Sequence, residues 1–184
     1  MIWEKFHLSL LNTIYNIIVW WCNGSTRSFE VFGQGSNPCQ TTKNMNIGIV
    51  SGYFNPIHYG HIEYINGAKK HSDKLIVIIN SDFQRKLKGS KEFMDEDHRL
   101  KIVSNLKSVD DVIISIDKDK TQCETLKYLK SLYPKDDVSF FNSGDRQGEN
   151  LVTAESQVCK DYNINEEVLV LPKIHSSSEL LKKL

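Results

Sequence analysis

Residues 46–61 read NIGIVSGYFNPIHYGH, and this stretch decides the fold. Its first six residues form a short apolar run that predicts a buried β-strand. Gly52 follows the run and allows the backbone to turn sharply and approach a ligand, and Asn55-Pro56 predicts a further turn. A helical pattern from His61 to Lys70 completes a unit of strand, loop and helix.

Two histidines lie at the start of this predicted helix. His58 and His61 are three residues apart, so both can face one ligand beside the positive end of the helix dipole. Gly60 removes side-chain bulk there, and the helix start offers free N–H groups. The pattern predicts a phosphate site, with an incidental histidine pair or two metal ligands as the alternatives. Neither a Walker loop nor a GxGxxG motif is present in the sequence.

The chain beyond this unit continues to alternate strands with helices. Further strands are predicted at residues 74–80, 111–116, 138–142 and 167–171, and further helices from residue 95 and at 121–133, 155–162 and 176–184. This alternation predicts an α/β fold, a Rossmann-like parallel five-stranded sheet with helices on both faces. Ligands of such sheets bind at the carboxyl ends of the strands, so the informative residues should follow strands directly.

Residues 52–61 resemble the G-x-F-[DN]-x-x-H-x-G-H signature of the cytidylyltransferase-like nucleotidyltransferase superfamily. Asn55 stands where many members have aspartate. The resemblance implies that two histidines hold the NTP phosphates and stabilise charge in the transition state. The nucleotide-binding residues that it implies in this stretch are Gly52, Tyr53, Phe54, Asn55, His58 and His61.

Residues 174–182, IHSSSELLK, resemble the second signature of the superfamily, with His175 as a departure. Serines at a helix start are usually caps, but they can also present hydroxyls and N–H groups to phosphate oxygens. The resemblance implies that Ser176, Ser177 and Ser178 bind the nucleotide and that Lys182 binds it and takes part in catalysis. The alternative for Lys182 is a solvated surface charge.

Two basic residues between the signatures are implied to bind the acceptor. Asn80-Ser81-Asp82 and Leu87-Lys88-Gly89 resemble a stretch of heptose-1-phosphate adenylyltransferases and the basic loop of glycerol-3-phosphate cytidylyltransferases. Lys88 would then reach a phosphate and act in catalysis; a mobile charged loop is the alternative. Arg99 matches a family arginine that could bind the acceptor phosphate, and a helix-surface ion pair with Asp95 or Glu96 is its alternative.

Residues 142–146, NSGDR, follow the predicted fourth strand and resemble the family's G-G-D turn. The resemblance assigns Asp145 to the nucleotide base or ribose, and a simple turn aspartate is the alternative.

The function that the resemblance implies is transfer of AMP or CMP from an NTP, ATP or CTP, to a sugar- or polyol-phosphate. Pyrophosphate is released, and the product serves activated glycan or cell-envelope precursor synthesis. The acceptor phosphate is already anionic, so neither a general base nor a covalent nucleophile is needed, and Mg²⁺ arrives with the NTP rather than at a metal site of the protein. A nicotinamide or flavin mononucleotide adenylyltransferase and a non-catalytic nucleotide-binding protein are the alternatives. Homodimers are common in the superfamily, but the sequence leaves the oligomeric state open.

Residues 1–44 differ in character from the remainder, residues 45–184, which we expect to form the nucleotidyltransferase domain. Residues 22–44 are polar and lack periodicity, which predicts a disordered N-terminal extension. The codons GGT TCG AAT CC, which can encode Gly35-Ser36-Asn37-Pro38, match the T-arm of tRNA genes. The start codon could therefore be assigned too far upstream, with Met45 as the true initiator, and the nucleotide sequence would decide this.

Composition gives only broad limits. The 184 residues are 40% hydrophobic and 25% charged with a formal net charge of zero, so charge does not favour a nucleic-acid partner. The most apolar run, residues 6–21, is too short to span a bilayer and is interrupted by polar residues. We therefore expect a cytoplasmic protein without a membrane partner.

Overall fold

The structure is a computed structural model that describes residues 44–143, residues 153–169 and Ser177. These residues contain a parallel five-stranded sheet in the order β3-β2-β1-β4-β5. The strands are β1 (Asn46–Gly52), β2 (Lys74–Ile79), β3 (Asp111–Ile114), β4 (Asp137–Ser143) and β5 (Asn165–Leu169). The predicted fold class is confirmed.

Helices connect the strands along the described part of the chain. They are α1 (Tyr59–Lys70), α2 (Asp82–Lys88), α3 (Glu96–Ser104), α4 (Cys123–Leu132) and α5 (Ala154–Asp161). The chain reverses its direction of travel across the sheet between β1 and β4, which are neighbours in space but far apart in sequence. This switch point is where parallel α/β sheets bind ligands, at the carboxyl ends of the two strands.

The core lies on the central strands. Every residue from Leu75 to Ile79 exposes 1% of its surface or less, which confirms that the uninterrupted apolar run of β2 is covered on both faces. Val50, Ile65 and Phe141 belong to the same core, with exposures of 1% or less. The central strands that lead to the switch point are therefore fully packed.

Several boundaries differ from the prediction for identifiable reasons. Helix α1 begins two residues before His61, because His58 is already its N-cap. Strand β3 ends at Ile114 rather than at residue 116, since the backbone N–H of Ile116 donates to the Thr125 hydroxyl instead of to the sheet. Strand β5 begins at Asn165, where exposed polar residues pair through their backbone with β4 and give no apolar signal.

Helix α2 was not predicted at all. For these residues the lysine-rich sequence offers a mobile charged loop as the alternative to phosphate binding. In the structure Asp82–Lys88 is a helix, and Gly89 caps its C-terminus in the left-handed conformation, with φ 71°. The signals were present: Ser81 and Gln84 form a capping box, and a glycine follows the last turn.

Two predictions fall outside the described residues and stay predictions. One is the extension of residues 1–44, of which only Asn44 is described, and the other is the C-terminal helix from residue 176, of which only Ser177 is described. Across the part of the chain that the structure describes, no helix has the length and apolar character needed to cross a membrane.

Candidate active site

The loop from β1 to α1 is shaped by Phe54. Its φ is 50°, and its side chain, 1% exposed, packs back onto Gly52. A Cβ on Gly52 would lie 2.9 Å from Cζ of the Phe54 ring, closer than carbon atoms normally approach. The glycine is therefore required by a buried ring, and the predicted approach of a ligand to Gly52 stays a prediction. The predicted turn at Asn55-Pro56 is present, with a cis peptide bond.

His58 and His61 lie together at the start of α1, as the spacing predicts. Their imidazole centroids are 3.8 Å apart and the rings are stacked at an interplanar angle of 21°. The edge of Phe54 contacts His61, with ring centroids 4.9 Å apart. The backbone N–H of His58 donates to Nδ1 of His61 over 3.3 Å. Because Nδ1 is the acceptor, the neutral imidazole carries its proton on Nε2, where it can donate to a ligand.

Burial, reinforced by the neighbouring His58, lowers the pKa of His61 to about 3. The ring is therefore neutral at pH 7 and offers a hydrogen bond rather than a positive charge. An anionic phosphate beside it would raise this pKa, because a nearby negative charge favours the protonated form. Charge stabilisation by His61, as the resemblance implies, thus depends on the ligand.

The N-terminus of α1 adds a second feature that favours anions. An α-helix leaves its first N–H groups without partners in the helix and carries a partial positive charge at that end. The first turn of α1 contains no acidic residue that would offset this charge. Gly60 is the second residue of the helix and adds no side chain to its first turn.

The second signature reaches the same loop. The hydroxyl of Ser177 donates a hydrogen bond to the backbone carbonyl of Pro56 at 3.0 Å, across 121 positions of sequence. Pro56 is two residues before His58, so the structure brings the two signatures together at this point. The other residues predicted from the C-terminal signature and from the turn after β4 lie outside the described residues: Ser176, Ser178, Lys182 and Asp145.

Lys88 lies at the edge of this loop. It is exposed in the last turn of α2, and its Nζ is 4.4 Å from the centroid of the Tyr53 ring, within cation–π range. The sequence interpretation treated Lys88 as a loop residue, but a helix carries it.

Arg99 is fully buried, with an exposure of 0%. Its guanidinium donates to the carbonyls of Tyr53 at 2.9 Å and Asn80 at 2.7 Å, and forms an ion pair with Asp82 at 2.7 Å. The predicted alternative, a surface ion pair with Asp95 or Glu96, is therefore wrong, because the side chain points into the protein. The acceptor-binding role of Arg99 stays a prediction, and in this structure the residue joins the β1 loop, the end of β2 and the start of α2.

Asp82 completes this junction. Its second carboxylate oxygen accepts from the backbone N–H of Glu96 at 3.2 Å, and its own N–H donates to the Glu96 carboxylate at 2.6 Å. Burial alone would raise the pKa of Asp82, but the hydrogen bonds from Arg99 and the Glu96 backbone outweigh it and lower that pKa. Asp82 is therefore a stable anion that fixes Arg99.

Asn55 has a structural role that its place in the signature does not indicate. It is 2% exposed, and its Nδ2 donates to the carbonyl of Lys91 at 2.8 Å. Its Oδ1 accepts from the N–H groups of Phe93 and Met94, both at 3.0 Å. These bonds fasten the segment between α2 and α3 to the first signature. An ionised aspartate could not donate to Lys91, which explains why an amide suits this chain; the nucleotide contact predicted for Asn55 stays a prediction.

A metal site does not emerge from the described residues. Within residues 44–143 and 153–169, no three His, Cys, Asp or Glu side chains are grouped so that they could hold a metal ion.

The chain thus combines a parallel sheet with a histidine-lined helix start at the switch point, where such sheets bind ligands. The sequence model described as cytidylyltransferase-like matches residues 49–180. The chain belongs to this family and is a nucleotidyltransferase.

Individual relatives agree with this assignment. The chain is 31% identical over 132 residues to the FAD synthase of Thermoplasma acidophilum, covering 68% of this chain and 92% of the relative. It is 32% identical over 108 residues to the bifunctional protein HldE of Aliarcobacter butzleri, covering 58% of this chain but 21% of that longer protein. Among solved structures, the lipopolysaccharide core biosynthesis protein of Thermoplasma volcanium has a TM-score of 0.55, with 23% identity, over 70% of this chain and 99% of that one. At this identity the last match supports the fold alone.

Proposed function

We propose that the protein transfers AMP from ATP to flavin mononucleotide (FMN), forming flavin adenine dinucleotide (FAD) and pyrophosphate. An oxygen of the acceptor phosphate attacks the α-phosphorus of MgATP in line. The bond from that phosphorus to the oxygen bridging to the β-phosphate breaks, and pyrophosphate leaves with the electron pair. No proton has to be removed from the acceptor, because its phosphate is already ionised at neutral pH.

The geometry at the start of α1 supports nucleotidyl transfer. His61 offers Nε2–H, and the first turn of α1 offers backbone N–H groups. Ser177 lies on the same loop, and its hydroxyl, which donates to the carbonyl of Pro56 in this structure, would donate to a phosphate instead. Hydrogen-bond donors fixed around the departing phosphates stabilise the charge that develops as pyrophosphate leaves. We assign His58, His61 and Ser177 to the triphosphate in this proposal, and Lys88 to the acceptor phosphate.

The remaining predicted contacts enter the proposal on the resemblance alone. Asp145 would contact the base or ribose, and Ser176, Ser178 and Lys182 the phosphates. Mg²⁺ enters as part of the substrate MgATP.

One observation carries the choice of acceptor. Three FAD synthases are 30–31% identical to this chain, which spans 87–94% of their length. The matches cover 68–74% of this chain. They favour the flavin acceptor, which the sequence interpretation gave only as an alternative, over a sugar phosphate.

A sugar-phosphate acceptor is the second candidate. The stretch with Asn80-Ser81-Asp82 and Leu87-Lys88-Gly89 resembles heptose-1-phosphate adenylyltransferases, and HldE proteins match at 28–32% identity. These matches span only 21–28% of the HldE chains.

A substrate matrix tests both candidates. ATP and CTP are each combined with FMN, heptose 1-phosphate, glycerol 3-phosphate and ribitol phosphate, with pyrophosphate release and product mass as readouts. We expect release with ATP and FMN, and a product with the mass of FAD. Release only with a sugar or polyol phosphate would reject the flavin proposal, and no release with any pair would reject both candidates.

A further inference from the structure

Tyr53 occupies a position that the first signature leaves unspecified, yet it has a specific contact. The ammonium of Lys88 lies over its ring, with Nζ 4.4 Å from the ring centroid. Aromatic faces attract cations at this distance because the ring quadrupole is negative above its plane. Tyr53, which the resemblance implies to contact the nucleotide, thus contacts the lysine that we assign to the acceptor.

The ring has a fixed position relative to the helix that bears Lys88. The carbonyl of Tyr53 accepts from Nη1 of Arg99 at 2.9 Å. The same guanidinium holds Asp82, the first residue of α2, through Nη2 at 2.7 Å. A longer contact of 3.5 Å joins the Tyr53 hydroxyl to the carbonyl of Gln84 in the middle of α2. The β1 loop and α2 are therefore connected along the length of the helix.

An exposed lysine without such a contact samples many rotamers, and ordering it costs conformational entropy when a substrate binds. Because the face of the Tyr53 ring already holds the Lys88 ammonium, part of this entropy cost is removed before the acceptor phosphate binds. Arg85, another cation on α2, is engaged elsewhere: it donates to the carbonyl of Ser90 at 3.0 Å and forms an ion pair with Glu92.

We propose that Tyr53 is a positioning residue whose aromatic face holds the Lys88 ammonium at the carboxyl end of β1, ready for the phosphate of the acceptor. This inference rests on the proposed function, because it assumes that Lys88 meets that phosphate. Tyr53 acts through Lys88 in this proposal.

The kinetic test is a double-mutant cycle. Tyr53→Leu removes the ring and keeps an apolar side chain, Tyr53→Phe keeps the ring and removes the hydroxyl, and Lys88→Met removes the charge. We expect Tyr53→Leu to lower kcat/KM for FMN by about two- to five-fold, the size of an exposed cation–π contact, mainly through a higher KM. When Lys88 is already replaced by methionine, Tyr53→Leu should cause no further loss of kcat/KM. Lys88→Met should lower kcat/KM by the same factor in Tyr53→Phe as in wild type, because the ring is still present.

The matched control is a second cation–π pair far along the chain. Nζ of Lys127 lies 5.9 Å from the ring centroid of Tyr162, between α4 and the end of α5. Tyr162→Leu should leave kcat/KM unchanged. Equal losses from Tyr53→Leu with and without Lys88 would overturn the inference, since the ring would then serve packing alone.

A measurement without turnover separates this inference from the proposed function. The ring current of Tyr53 should shift the ε-methylene protons of Lys88 upfield in NMR spectra of the full chain. We expect this shift to persist in Tyr53→Phe and to disappear in Tyr53→Leu, and its absence from the wild type would overturn the inference. If no acceptor supports pyrophosphate release, the proposed function fails, but the same double-mutant cycle can still be measured through the Kd of FMN. If the effects of Tyr53→Leu and Lys88→Met on that Kd are additive, the inference is overturned.

Discussion

Replacement of His61 by asparagine tests the electrostatics of the site through protein stability. In the folded protein, burial and the stacked His58 lower the pKa of His61 to about 3, whereas an unfolded chain has the ordinary value of 6.5. Between these two pH values the unfolded chain binds a proton at residue 61 that the folded protein does not bind. The free energy of unfolding therefore falls as pH falls through this window, and above pH 6.5 the residue makes no contribution of this kind.

The magnitude follows from the difference in pKa. Each pH unit within the window costs about 1.4 kcal/mol, so lowering the pH from 7.5 to 5 should cost wild type about 2 kcal/mol through His61 alone. Asparagine does not titrate, and its Oδ1 can replace Nδ1 as the acceptor for the backbone N–H of His58. His61→Asn should therefore lose about 2 kcal/mol less than wild type over the same range.

Urea unfolding at pH 7.5 and pH 5 measures this difference. His98→Gln is the control, because that side chain is 74% exposed on α3 and lies outside the site. An NMR titration of the His61 ring should show no transition between pH 5 and pH 8 in the ligand-free protein. Parallel pH dependence in wild type and His61→Asn, or a ring that titrates near pH 6.5, would refute the neutral buried imidazole.

Three substitutions test how the site is held together. Asn55→Asp should lower the free energy of unfolding by about 1–3 kcal/mol at pH 7, since the donor to Lys91 is lost; urea unfolding checks this, and an unchanged midpoint would contradict it. Arg99→Met should cost about 3 kcal/mol, because the partly exposed Asp82 carboxylate loses its buried partner; a loss below 1 kcal/mol in the same assay would show that the junction is unimportant. Gly52→Ala should lower the free energy of unfolding by about 1–3 kcal/mol, since the new Cβ would overlap the Phe54 ring. A Tm equal to that of wild type in thermal unfolding would argue against this packing.

The sequence was sufficient for the sheet and for the first signature. β2 could be predicted because all its central residues are apolar, and both histidines could be placed because a helix pattern follows them. The register of β5 could not be predicted, because the residues Asn165 to Val168 of this edge strand are exposed and give no apolar pattern, and backbone pairing with β4 sets their register.

Arg99 and Asn55 were harder to interpret, because their partners are distant in sequence. Arg99 bonds to the carbonyl of Tyr53, 46 positions away, and Asn55 to the carbonyl of Lys91, 36 positions away. A carbonyl acceptor leaves no mark in the residue type, so an arginine that organises loops looks the same in sequence as one that binds phosphate. The burial of Arg99 and its bonds to main-chain carbonyls reveal the organising role, which the residue type alone does not.

The proposed reaction sets a limit on how His61 can act. To be protonated at pH 7, its pKa must rise by about four units from about 3, which corresponds to about 5 kcal/mol. One phosphate charge at about 4 Å contributes about 4 kcal/mol at an effective dielectric constant of 20. Bound MgATP should therefore leave His61 mostly neutral, and only the extra charge on the departing pyrophosphate would bring it close to protonation. An interaction that strengthens in the transition state accelerates the reaction, whereas one that is equally strong in the ground state does not.

Calorimetry can measure whether His61 takes up a proton when MgATP binds. Titration of the protein with a non-hydrolysable MgATP analogue at pH 7, in buffers that differ in ionisation enthalpy, gives the number of protons taken up on binding. We expect the difference between wild type and His61→Asn to be below about half a proton per site. Uptake of a full proton that disappears in His61→Asn would mean that the imidazole is already charged in the ground state, and the argument for its strengthening in the transition state would fail.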